Sequence, residues 1–195
     1  MIGLARLNNL QFCIEQIIAH QVLGYFVETG IWRGGACIFM NGLLHAHGES
    51  GRKIWAADSF EGVPKPTLKE DQNLNLSKEN YPFLAVSLDE VKELFTRYDL
   101  LDDNVIFLKG WFKDTLSVAP IEKISLLRLD GDLYESTMDA LNPLYHKVSS
   151  GGYVIVDDYF SCPPCFQATN DFRKNHNIHE EMVSIDNQSA FWRKK

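Results

Sequence analysis

The chain predicts an α/β fold: a mostly parallel sheet with helices on both faces and one antiparallel strand in a C-terminal hairpin. Three observations predict it. Short apolar runs alternate with amphipathic segments of helical period along the 195 residues, the pattern of βα units. Two of those runs, at 126–129 and 153–156, end abruptly in acids, as strands do when they deliver polar side chains to one edge of a buried parallel sheet. Near the C-terminus, segments 180–185 and 190–193 flank Asp186-Asn187-Gln188-Ser189, a hairpin signal. The length suits one domain, and no linker, repeat or low-complexity stretch divides it.

In order, residues 6–20 carry Leu7, Leu10, Ile14, Ile17 and Ile18 at helical spacing, and Gly24 stops that helix. Tyr25-Phe26-Val27-Glu28 is a short strand. Thr29-Gly30-Ile31-Trp32-Arg33-Gly34-Gly35 is a glycine-punctuated turn, and 36–47 resumes helical spacing through Cys37, Met40, Leu43 and Leu44. Strand, glycine-rich turn and helix open a Rossmann-like nucleotide-binding unit, although a plain tight βα turn reads the same way. The turn is not GxGxxG, which disfavours an NAD-linked oxidoreductase. It has no GK[ST], which disfavours a nucleotide triphosphatase. Residues 53–58 are a second strand. Its last residue, Asp58, stands where it can accept from ribose hydroxyls or cap the following turn.

Residues 62–83 are polar and hold Pro64, Pro66 and Pro82, the composition of a long surface loop or lid. Ser87 and Glu90 make a capping box for a helix reaching residue 98, with Val91, Leu94, Phe95 and Tyr98 as its apolar stripe. Residues 105–109 are a third strand. At its tip Gly110-Trp111-Phe112 either lets a flat ring approach the backbone or sends Trp111 into the core. Helix 135–146 faces inward through Met138, Leu141, Leu144 and Tyr145, and Pro143 bends it. Ser149-Ser150-Gly151-Gly152 turns the chain into the next strand, and 166–174 is a further helix.

Asp130, at the end of one buried strand, faces Asp157 and Asp158 at the end of another. Three converging carboxylates repel unless a cation or protons neutralise them, and an all-oxygen set suits Mg²⁺. Any one of these acids alone reads better as a helix N-cap or a loop residue; it is the strand-end pair facing a third strand-end acid that favours a metal or catalysis. Asp132 is a rival ligand, but Gly131 turns the chain there, so Asp132 is assigned to capping the next helix.

The formal net charge is −7 with no basic stripe, so no nucleic-acid partner is expected. No apolar run approaches the ~20 residues of a bilayer span, and the N-terminus lacks the plan of a secretory signal. A soluble cytoplasmic protein without a membrane partner is expected, and homo-oligomerisation stays open. Cys13 and Cys37 sit among apolar residues as buried thiols. Cys162-Pro163-Pro164-Cys165 has the spacing of a redox or zinc half-site. Only His176 and His179 follow it, and the two prolines also open a helix well. Reduced thiols and no zinc are expected.

A sheet of this order ending in a hairpin is similar to the class I S-adenosylmethionine-dependent methyltransferases. Five ordered stretches are more specific: Phe26-Val27-Glu28-Thr29-Gly30-Ile31-Trp32-Arg33-Gly34-Gly35-Ala36, Ala57-Asp58-Ser59-Phe60, Gly110-Trp111-Phe112-Lys113-Asp114-Thr115-Leu116, Leu129-Asp130-Gly131-Asp132-Leu133-Tyr134-Glu135-Ser136 and Gly151-Gly152-Tyr153-Val154-Ile155-Val156-Asp157-Asp158-Tyr159. Together they resemble the macrocin O-methyltransferase (TylF-type) family. The resemblance implies Mg²⁺-dependent methyl transfer from S-adenosylmethionine to a sugar hydroxyl of a glycoside or antibiotic. It implies that Glu28, Gly30 and Gly34 line the methionine part of the cofactor and that Asp58 holds its ribose. Thr29, Gly35, Ser59, Gly110, Trp111 and Asp130 complete the implied cofactor contacts. Asp130, Asp157 and Asp158 match the metal site, with Asp130 also the base. The family pattern carries a longer N-terminal segment that lids the site, so a shortened lid is expected here. A non-catalytic cofactor-binding relative and a catechol-type methyltransferase are the alternative readings.

Overall fold

The computed structural model describes residues 2–195. Seven strands form one sheet: β1 (Tyr25–Thr29), β2 (Ile54–Asp58), β3 (Val105–Lys109), β4 (Ile124–Leu129), β5 (Val148–Val156), β6 (Val183–Ser184) and β7 (Ala190–Arg193). Their order is β3-β2-β1-β4-β5-β7-β6. β1 to β5 are mutually parallel, and β7 runs antiparallel to both β5 and β6. The expected single antiparallel strand is β7. The chain winds outward from β1 to β3 and then returns to lay β4 on the other side of β1. That reversal opens a crevice at the carboxyl tips of β1 and β4, where ligands bind in open α/β sheets.

Helices cover both faces. α1 (Leu4–Ala19), α2 (Gly35–Ala46) and α3 (Leu88–Arg97) pack on one, and α5 (Tyr134–Leu144) and α6 (Pro163–Asn175) on the other; α4 (Phe112–Thr115) is a single turn after β3. The two cores divide by strand parity. Phe26 and Leu126 join Leu10, Ile14, Met40 and Phe95 on the first face. Val27 and Leu127 join Leu141, Phe172 and Trp192 on the second. A strand apolar on both sides has to lie inside a covered sheet, so all six residues of β4 are buried. Each large side chain fully buried there stabilises the fold by about 1.5–3 kcal/mol.

The capping box of α3 is formed: Ser87 Oγ accepts from the Glu90 amide at 3.3 Å, and Glu90 Oε2 accepts from the Ser87 amide at 2.9 Å. Pro143 falls in the last turn of α5, which gives way to a 3₁₀ turn at Tyr145–Lys147.

Four expectations need correction. Tyr98 does not belong to the buried stripe of α3 but lies exposed just past the helix end. Ser149-Ser150-Gly151-Gly152 does not precede β5 but bulges within it. Ile124 and Leu126 pair with Val148 and Tyr153, so the extra residues loop out, with Gly151 at φ +83°. The first arm of the hairpin shortens to Val183–Ser184. Asp132 does not cap α5. The residue before that helix is Leu133, without a side-chain cap, while Asp132 itself sits at φ +57°. No helix among the described residues is long and apolar enough to cross a membrane.

Candidate active site

A cavity of about 750 Å³ opens over the tips of β1, β2, β4 and β5. Small-molecule sites commonly run from about 300 to 1,000 Å³. Glu28, Gly30, Gly35, Asp58, Ser59, Trp111 and Asp130 line it, as do Asp132, Asp157 and Asp158. Thr29, Gly34 and Gly110 are not among the lining residues. Gly34, at φ +74°, has Phe95 so near that an added Cβ would lie 2.8 Å from its ring. Gly30 allows the tightest approach: at φ +82° its added Cβ would lie 1.8 Å from the Asp130 carbonyl oxygen.

Asp58 is saturated by backbone donors. Its Oδ2 accepts from the Ile31 and Trp32 amides at 2.8 and 3.2 Å, and its Oδ1 from the Phe60 amide at 2.8 Å. The acid at the tip of β2 therefore holds the glycine-rich turn after β1 against the sheet. Burial pushes its pKa up while these donors pull it down.

The acids of β4 and β5 are arranged around a cation the sequence reading did not single out. Arg128, buried in β4, donates from Nη1 to Asp130 Oδ2 at 2.8 Å and to Glu28 Oε1. Its Nη2 lies 2.6 Å from Asp157 Oδ1 as a close ion pair without hydrogen-bond alignment. Arg6 of α1 reaches the same carboxylate from outside, donating from Nη1 to Asp157 Oδ2 at 2.5 Å. It also binds Asp186 Oδ2 at 3.0 Å and the Gln188 side chain on the hairpin turn. Glu28 Oε2 accepts from Cys37 Sγ at 2.8 Å, and burial pushes Glu28 up to about 7 in spite of Arg128. A lone arginine inside Leu126-Leu127-Arg128-Leu129 was the available signal, since a buried guanidinium requires acidic partners.

Asp130, Asp157 and Asp158 each offer a carboxylate oxygen within 4.8 Å of the other two. Asp158 Oδ2 is enclosed and has no hydrogen-bond partner. Burial, then Asp130, Asp132 and Asp157, hold Asp158 well above the usual carboxylate range. Asp132, Asp158 and Cys162 form a second group of the same closeness, and burial raises Asp132 to about 7. Among the described residues neither group includes a histidine; His176 instead stacks on Phe172 at 4.2 Å between ring centroids.

Comparison with known proteins gives this geometry its context. The family model described as macrocin-O-methyltransferase (TylF) matches residues 1–194. The chain belongs to that family. Family membership makes it an O-methyltransferase that uses S-adenosylmethionine. It is 51% identical over 197 residues to demethyldecarbamoylnovobiocin O-methyltransferase of Streptomyces niveus, covering all of this chain and 75% of that protein. It is 48% identical to mycinamicin III 3''-O-methyltransferase of Micromonospora griseorubida, covering all of this chain and 78% of that protein. Among solved structures, the O-methyltransferase NovP superimposes with a TM-score of 0.97 at 50% identity, over the whole chain and 81% of NovP. The calicheamicin methyltransferase CalS11, 20% identical, shares the fold with a TM-score of 0.78 over 96% of this chain and 77% of that one. TylF family membership agrees with the sheet order and with a cavity floored by strand-tip acids.

Proposed function

We propose that this protein transfers a methyl group from S-adenosylmethionine to a hydroxyl of a sugar unit on a glycoside natural product, with Mg²⁺ held by Asp130, Asp157 and Asp158. The observation that carries the reading is the acid triad beside the glycine-rich turn, with the enclosed, partnerless Asp158 Oδ2 inside it. An oxygen-only set in which Asp158 Oδ2 is buried with neither a hydrogen bond nor an ion pair fits a hard divalent ion. Another relative, 49% identical, is the 4'-O-methyltransferase of a rhamnosyl-bearing tetracenomycin from Streptomyces olivaceus, which supports a sugar acceptor.

The chain's own residues divide the work. Asp58, the glycine-rich turn and Trp111 bound the cofactor end of the cavity, where Asp58 holds that turn in place against the cofactor. Arg128 fixes Asp130 and Asp157 in orientation and offsets their repulsion. Bound Mg²⁺ would lower the pKa of a coordinated hydroxyl. Asp130 takes the hydroxyl proton as the oxygen attacks the methyl and the sulfonium leaves as a neutral thioether. Asp132 is the second candidate acceptor, because a carboxyl near 7 is matched to proton transfer at neutral pH. Walls on the β2 and β3 side hold the donor in line and exclude water.

The test is turnover with S-adenosylmethionine and Mg²⁺ on parallel panels of glycosides and catechols, read as mass gain of one methyl. Product from glycosides alone supports the reading. Product from catechols alone transfers it to the phenol chemistry. Cofactor binding with no product on either panel would overturn the sugar-hydroxyl acceptor.

A further inference from the structure

The long polar segment after β2 is not a free loop. Its ends meet at Gly62 and Ala85, where a Cβ on Gly62 would lie 3.2 Å from that of Ala85. Between them the chain arches over the cavity, and Gly62, Val63, Pro64, Lys65, Thr67, Leu74, Leu76 and Leu84 contribute to its wall. Asp71 leaves the strap for the interior and is fully buried. Its Oδ1 accepts from the Tyr134 amide at 2.6 Å and its Oδ2 from the Glu135 amide at 3.1 Å. These are amides of the first turn of α5, the helix that lacks a side-chain cap of its own. A carboxylate there satisfies orphan donors and meets the positive end of the helix dipole. Beside it Thr67 Oγ1 donates to Glu135 Oε2 at 2.5 Å. At the far end Trp32 Nε1, in the glycine-rich turn, donates to the Phe83 carbonyl at 3.0 Å.

We propose that Asp71 is a positioning residue: it latches the 62–85 strap onto the first turn of α5 and so holds the roof of the cofactor end of the cavity. The same bonds anchor the turn that carries Asp130 and Asp132, two to five residues before the capped amides. This inference rests on the reading of that cavity as an S-adenosylmethionine site. A buried cap whose only task was to stabilise α5 could come from a neighbouring residue. Supplied by the strap from 63 residues away, it makes roof and floor of the cavity one unit.

The experiment measures S-adenosylhomocysteine dissociation by stopped flow for the wild type, Asp71→Asn and Asp71→Ala, together with tryptic cleavage after the exposed Lys69 and Lys78 of the strap. Asp71→Ala should raise the off-rate by about tenfold, the order expected for losing a charged hydrogen bond at the latch. Asp71→Asn, which keeps one acceptor, should fall between. Ligand should protect Lys69 and Lys78 in the wild type and fail to protect them in Asp71→Ala. A variant that is merely less stable would melt earlier but keep its off-rate and its ligand protection at temperatures where it is folded, and that result overturns the latch. If Asp71→Ala does not fold, the isosteric Asp71→Asn decides by the same two readings. Failure of the wild type to bind S-adenosylhomocysteine would instead remove the underlying reading of the cavity.

Discussion

Asp58 and Asp158 stand at the tips of parallel strands on opposite sides of the switch point, and their surroundings differ. Three backbone amides converge on Asp58, so its carboxylate is complete within the fold. No donor reaches Asp158 Oδ2, although that atom is equally enclosed. On the β2 side the glycine-rich turn aims its own N–H groups at the acid. On the β5 side the neighbours are other acids, and the two arginines are already committed to Asp157, Asp130 and Glu28. A self-satisfied acid shapes a wall. An acid left short of partners marks where something from outside is received.

The largest expected effect separates these two halves directly. Asp130→Asn should lower kcat by about 10²–10⁴-fold, the usual loss with a general base, and leave S-adenosylmethionine affinity nearly intact in calorimetry. Asp58→Ala should do the reverse, weakening cofactor binding by ~1–3 kcal/mol with kcat at saturating cofactor little changed. Equal losses in kcat from both would dissolve the division. Next in size is Arg128→Leu, which strands Glu28, Asp130 and Asp157 without their shared cation. It should cost ~3–5 kcal/mol of folding stability, read as a lower urea midpoint, and a wild-type midpoint would dismiss the hub.

The acid side should also carry the pH dependence. Asp132 rises from 3.8 to about 7 on folding, first through burial. Between those values the native state binds more protons than the unfolded one, so stability should fall as pH rises from about 4 through 7. Asp132→Asn should flatten that fall. Mg²⁺ should raise the melting temperature, and chelator should reverse it. A melting temperature indifferent to millimolar Mg²⁺ at pH 8 would remove the metal from the reading. Smallest of all, Cys165→Ser should leave metal content unchanged; stoichiometric zinc lost in that variant would restore the zinc half-site.

The elements and their order were legible because the apolar periods are strong: β4 and the 153–156 end of β5 are nearly pure runs, and the Ser87–Glu90 box announces α3. The acid triad was legible because strand-end position implies convergence. Two deciding residues were not. Arg128 lies within an apolar strand, where period alone records it as an interruption. Asp71 lies in a polar loop among Glu70, Gln72 and Asn73, where one more acid carries no signal, and its work depends on a helix far along the chain. The same gap explains the misplaced cap: Asp132 has the right residue type just before α5, but its left-handed backbone leaves the amides to Asp71.

The bond between Glu28 and Arg128 joins residues 100 positions apart, across neighbouring strands that are far apart in synthesis. During translation the first three strands emerge with a buried-to-be carboxylate and no cation to receive it. At about 5–20 residues per second that interval lasts roughly 5–20 s. The early half of the sheet therefore has reason to stay open at its β1 edge until β4 arrives. A nascent chain arrested before Arg128 should accordingly be cut by protease along β1, while one extended past β5 should resist. The ribosome, in effect, delivers the counter-charge that lets the first strand close.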